Sequence, residues 1–123
     1  MRQPGPDHPI SISRNLNRVR VTFAGKVIAD TTKSLTLKEA SYPPVQYIPR
    51  DDVDMTQLQR TEHSTHCPYK GDASYFSIGG KAGRGENAVW SYEAPYSAVA
   101  QIAGYLAFYP NRVDAVEELE TRT

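Results

Sequence analysis

Ser64-Thr65-His66-Cys67-Pro68-Tyr69-Lys70-Gly71, followed by Asp72-Ala73-Ser74-Tyr75-Phe76-Ser77-Ile78, decides how the chain is read. Strand-like segments flank the first eight residues on both sides. Proline at the second position of a turn presets φ, and glycine tolerates a positive φ, so Pro68 and Gly71 are the fixed points of a rigid turn. From Ala73 to Ile78 the residues alternate, Tyr75 and Ser77 against Phe76 and Ile78, as in a strand whose side chains point alternately to two faces. The same stretch holds the single cysteine of the chain.

Outward from it, the period of two recurs. Val19, Val21 and Phe23 share one face of residues 18–24, and Gly25-Lys26 predicts a Gly-first hairpin turn of type II′ before residues 27–30 return. Leu35 and Leu37 point one way in residues 34–40, and Glu39 falls on their face, where a carboxylate is either at a sheet edge in water or in a cleft, the wet strand end being the plainer reading. Tyr42-Pro43-Pro44-Val45-Gln46-Tyr47-Ile48-Pro49 is extended and proline-rich, hence an edge strand or a surface strap. Asp54 and Gln57 have capping-box spacing around a short helical turn. Residues 87–93 form a strand with Ala88, Trp90 and Tyr92 on one face, residues 96–104 a short helix, and residues 105–109 a last strand stopped by Pro110. Some seven short strands with one or two short helices predict a mainly β domain, an antiparallel sandwich or small open barrel. Residues 1–15 read as a flexible arm or strap, 16–116 as the single β domain and 117–123 as an acidic tail.

Composition narrows the classes. With 123 residues, 14 basic and 14 acidic, the formal net charge is zero. Nucleic-acid binders usually carry a basic surplus, so a nucleic-acid partner is not expected. No apolar run approaches the roughly 20 residues of a membrane span, and the N-terminus lacks a signal-peptide core, so the expectation is a cytoplasmic protein with no membrane partner. The oligomeric state stays open, a homodimer being one option.

Cys67 is the first chemical candidate. A nucleophilic thiolate needs a nearby cation or base, and Lys70 can approach it across the turn, whereas His66 points to the opposite side of an extended segment. A buried, structural Cys67 is the plainer reading. Glu39 and Lys70 are the alternative catalytic candidates, as an acid–base pair. For metal, His63, His66 and Cys67 lack the second ligand cluster of a zinc site, so neither metal nor cofactor is expected. Gly83-Arg84-Gly85-Glu86-Asn87-Ala88 fits G-x-G-x-x-A, but a strand follows where dinucleotide binding needs a helix. It reads as a flexible hairpin loop whose Lys81 and Arg84 are able to touch an anion. Tyr47, Tyr69, Tyr75, Trp90 and Tyr92 are read as one concave wall. With Arg50 and Lys70 beside it in sequence, that wall suits an unidentified small molecule. The expected ligand-binding set is Tyr47, Arg50, Tyr69, Lys70, Trp90 and Tyr92. An interaction module built on the proline strap and glycine loop is the remaining reading.

These residues also carry a resemblance. Tyr42-Pro43-Pro44-x-x-Tyr47-x-Pro49-Arg50-x-Asp52-Val53, Thr65-x-Cys67-Pro68-Tyr69-Lys70-Gly71-x-Ala73-x-Tyr75, Asn87-Ala88-x-Trp90-x-Tyr92 and Ile102-Ala103-Gly104-Tyr105-x-Ala107-Phe108-Tyr109 resemble the domain of unknown function family 427, short bacterial and fungal proteins. The likeness runs from about Val19 to Val116. It implies a β-tent-like fold, two small antiparallel sheets meeting at an angle. Some β-tent relatives, such as the cereblon drug-binding domain, clamp zinc with four cysteines; this chain has one, so that zinc is expected to be absent. The family sometimes carries a nucleotidyltransferase label, but the chain contains neither a phosphate loop nor a catalytic acidic pair in a glycine–serine context.

Overall fold

In a computed structural model, residues 1–79 and 83–120 are described. Ten strands occur among them: β1 (Ile10–Arg14), β2 (Arg18–Phe23), β3 (Lys26–Thr31), β4 (Leu35–Glu39), β5 (Val45–Tyr47), β6 (Leu58–Cys67), β7 (Gly71–Ile78), β8 (Val89–Ser91), β9 (Ala107–Phe108) and β10 (Ala115–Leu119). The short helical pieces at Arg50–Asp52, Met55–Gln57, Ser97–Ile102 and Pro110–Arg112 are all 3₁₀ turns. Mainly β and antiparallel is therefore right, but the strands form three sheets rather than two, ordered β1-β4-β5, β10-β2-β3 and β6-β7-β8-β9. None closes into a barrel.

The chain ends add an edge strand to two of these sheets. Ile10–Arg14, inside the stretch read as an arm, pairs with β4 from Ile10↔Glu39 to Arg14↔Leu35. Ala115–Leu119, which runs into the stretch read as an acidic tail, pairs with β2. Both are edge strands: β1 alternates half-buried Ile10 and Ile12 with exposed Ser11 and Ser13, a short period of two inside residues 1–15, whereas β10 shows no such alternation. The break between β3 and β4 keeps the two three-stranded sheets separate.

The remaining strand, β7, explains the layering. Its alternation sends Phe76 and Ile78 into one core with Val19, Val21, Ile28, Val89 and Phe108. It sends Ala73 and Tyr75 into a second core with Leu37, Tyr47, Tyr92, Val99 and Ile102. The sheet that contains β7 is thus covered on both faces, by residues of β2 and β3 on one and of β4 and β5 on the other. An isolated bridge joins the covering layer to the central sheet: Ile48 and Leu106 exchange two backbone hydrogen bonds of 2.8 Å each. Being outside the named strands, it pins the end of β5 beside β9.

Local predictions shift by a residue or two. The β2–β3 turn is Ala24-Gly25, not Gly25-Lys26. Both residues have positive φ (51° and 78°), as a type I′ turn requires, and Phe23 pairs with Lys26. Asp54 does cap a short turn, accepting from the Thr56 amide at 3.1 Å. Asn87 has φ 50°, which interrupts the alternation before β8. Ala88 consequently joins the core opposite to that of Tyr92.

The glycine-rich loop is packed rather than open at Gly85. A Cβ there would lie 2.4 Å from the Ile78 carbonyl oxygen and 2.9 Å from the Phe23 ring. Backbone cannot yield as a flexible side chain does, so Gly85→Ala is expected to destabilise the domain by about 1–3 kcal/mol. Urea unfolding checks this; an unchanged midpoint would show that the loop relaxes freely. Lys81 lies outside the described residues.

Candidate functional site

The turn Pro68-Tyr69-Lys70 joins β6 to β7, with Cys67 paired to Gly71. Gly71 has φ 110°, a conformation that a side chain would strain. The Lys70 carbonyl accepts from the Tyr96 amide at 3.0 Å, which fixes the lysine backbone against the segment after β8. Its side chain turns inward and is only 10% exposed.

There Lys70 Nζ donates to Glu39 Oε1. Glu39 is the last residue of β4, on the inward face with Leu37, as alternation predicts. Its carboxylate is 12% exposed, and its other oxygen meets His8 Nε2 at 2.8 Å. Burial pushes the Glu39 carboxyl up, but the Lys70 and His8 hydrogen bonds outweigh it and hold the group below the usual carboxylate range. His8 is locked in turn: its ring stacks on Tyr69 with centroids 3.9 Å apart and planes 4° from parallel. Arg2 stands over the same tyrosine, and its amide donates to the Pro68 carbonyl at 2.7 Å. The N-terminal residues thus lie against the β6–β7 turn.

Beside the Glu39–Lys70 pair opens a cleft of about 160 Å³, lined by both of these residues and by Leu37, Tyr42, Pro43, Val45, Tyr47, Tyr75, Trp90, Tyr92 and Tyr109. Its floor is a hydrogen-bonded aromatic array. Trp90 Nε1 donates to Tyr47 Oη at 3.2 Å; Tyr75 Oη lies 3.2 Å from Tyr109 Oη and 3.0 Å from Thr65 Oγ1. Burial raises the phenol pKa of Tyr47 and Tyr92, and pushes that of Tyr109 up to about 12, so these hydroxyls keep their protons near neutral pH. Lys70 Nζ sits 5.7 Å from the centre of the Tyr92 ring.

Of the residues singled out from sequence, Glu39, Lys70, Tyr47, Trp90 and Tyr92 come together around the cleft. Tyr69 does not line it, because stacking on His8 holds its ring. Arg50 does not either: its guanidinium donates to Glu93 at 3.1 Å and to the Gly104 carbonyl at 3.2 Å. Cys67 packs against the second core, and both of its neighbours are engaged elsewhere, His66 with Asp72 at 2.7 Å and Lys70 with Glu39. Arg84 pairs with Asp114. As parts of the site, the sequence pointed neither to His8 nor to Tyr42 and Pro43, read as a proline strap, nor to Tyr109, read as the end of the last strand. Among the described residues no group of three or more histidine, cysteine or acidic side chains is placed to hold a metal ion. No helix among them is long and apolar enough to cross a membrane.

Glu93 accepts from Arg60 through both guanidinium nitrogens at 2.9 Å and from Arg50. These bonds lower its pKa from 4.5 to about 2. A depressed carboxylate contributes stability that is complete above its unfolded pKa and is lost as pH falls through the folded one. Glu93→Gln is therefore expected to lower Tm at neutral pH, with the gap to the parent shrinking from about pH 4.5 downward and closing near pH 2. Melting curves across that range check it; a gap independent of pH would rule it out.

A search of the curated proteins gives no significant match. A family model, described as a domain of unknown function (DUF427), matches residues 11–119. The match reaches past the quoted motifs to take in nearly all of β1 and the whole of β10, so the two edge strands are part of the shared domain. With almost the full length of its fold covered, the chain belongs to the domain of unknown function family 427.

Proposed function

We propose that the domain binds a small molecule in the cleft beside Glu39 and Lys70. The observation that carries this reading is a charged pair, with side chains 10% and 12% exposed, opening onto an aromatic cleft. Withdrawing two charges from water costs several kcal/mol per ion, and apolar residues of the same volume often serve stability as well or better. A pair kept in such a place is suited to recognition. Lys70 has three donors and uses one on Glu39, while the carboxylate retains lone pairs beyond those facing Lys70 and His8. Tyr47 Oη accepts from Trp90, which leaves its own proton to donate. A ligand carrying both an acceptor and a donor, flat enough to lie on Trp90 and Tyr92, uses all of these groups.

A second reading is acid–base catalysis by the same pair. It is favoured by the continuous chain His8–Glu39–Lys70, in which a proton taken up by Glu39 has a neighbour on either side.

The test uses a fragment library of small polar aromatic compounds, read by thermal shift and by the fluorescence of Trp90, the only tryptophan in the chain. Lys70→Met alone strands a buried carboxylate and is expected to cost about 3–5 kcal/mol. Glu39→Gln with Lys70→Met removes both charges and is expected to restore most of that stability while abolishing the fragment shifts. Fragments that stabilise the double variant as well as the parent would displace the ligand from this cleft.

A further inference from the structure

The cleft has a neighbouring cavity with which it shares part of its lining. Tyr42, Pro43, Val45, Trp90 and Tyr109 also line a second cavity, a groove of about 360 Å³ that continues over Val21, Ile48, Phe108 and Val116. We infer that the ligand is a neutral amphiphile, its amide-like head against Glu39 and Lys70 and its apolar body lying across Trp90 and Tyr109 into this groove. The inference rests on the cleft reading and adds the chemical class.

Size gives the first argument. Pockets for small organic ligands usually run to about 300–1,000 Å³. The cleft of about 160 Å³ falls short of that, and the groove that shares five lining residues with it does not. The shared wall gives the second. Trp90 turns its Nε1–H to Tyr47 on the cleft side, and Tyr109 turns its hydroxyl to Tyr75, so the polar tips face the cleft. The two rings pack at a tilt of 42° with centroids 4.5 Å apart, and both line the groove as well as the cleft. The rim gives the third. Tyr42 is 64% exposed, an unusual cost for a large aromatic side chain, and its amide donates to the Glu39 carbonyl at 2.9 Å. The lip of both cavities is therefore tied to the residue that carries the carboxylate.

Charge selects the head. Lys70 already faces Glu39, so a carboxylate ligand drawn to Lys70 would be brought up against the Glu39 carboxylate. A primary amide brings no charge; its carbonyl accepts from Lys70 Nζ while its NH₂ donates to Glu39.

A series of straight-chain primary amides, butanamide to decanamide, titrated against the full chain by Trp90 fluorescence, tests this. Affinity should rise two- to fourfold per added methylene, the upper figure following from about 0.8 kcal/mol per buried CH₂, and level off once the groove is filled. Val116→Glu at the far end of the groove, or Pro44→Glu at its exposed rim should the first fail to fold, should erase the chain-length gain and leave butanamide binding intact. Short amides that bind with no length dependence would overturn the amphiphile and keep the cleft reading. Carboxylates that bind as tightly as amides of equal length would overturn the neutral head. If no amide binds, this inference falls, while the fragment screen decides the cleft reading independently.

Discussion

Burial of β7 on both faces is the constraint from which the rest of the architecture follows. A strand covered on one side builds a two-layer sandwich. Here Phe76 and Ile78 need one apolar layer and Ala73 and Tyr75 need another. Two three-stranded sheets supply them, one for each face. The layer over Tyr75 is the thinner in aliphatic side chains and the richer in tyrosine. Its rings fill space with their bodies and carry hydroxyls that must find partners. The partners they find are largely one another, and the cleft lies along that array.

The Glu39–Lys70 pair belongs to the same layer. Lys70 closes the turn just before Gly71, whose φ of 110° permits β7 to start abruptly, and Glu39 ends a strand whose next residue, Ala40, has φ 48°. Each charge therefore sits at the end of a strand, where its backbone leaves the sheet while its side chain still points inward. Such positions bring charges together without placing them in the middle of a core. His8 closes the arrangement because β1 pairs with β4 up to Ile10↔Glu39, which leaves the residues before Ile10 alongside the carboxylate.

How much was legible depended on the range of the interaction. Leu35, Leu37 and Glu39 share a face by strand geometry alone, but whether that end of the strand is wet or buried could not be read there, and the structure buries it. The same geometry sets Phe76 and Ile78 against Tyr75. Arg50 and Tyr69 were drawn to the site only by nearness in sequence to Tyr47 and Lys70. Nearness along an extended chain says nothing about which side a residue faces, and each ring or guanidinium found a stronger partner elsewhere. His8 was invisible because its partner is 31 residues away and its own surroundings carry no period.

The sequence by itself determined the strands with one buried face, the turn at Pro68–Gly71, the face that Glu39 shares with Leu37 and the family, because these depend on local backbone preference, on a period of two and on motif order. Only the tertiary structure decided that there are three sheets, that Glu39 and Lys70 meet, and that Tyr109 joins the wall while Arg50 does not. Those outcomes depend on which edges pair and which faces stack. β10 lacks the apolar alternation that would announce it, the alternation of Ile10 and Ile12 in β1 is too short to name a partner strand, and contacts between layers join residues that no local rule connects.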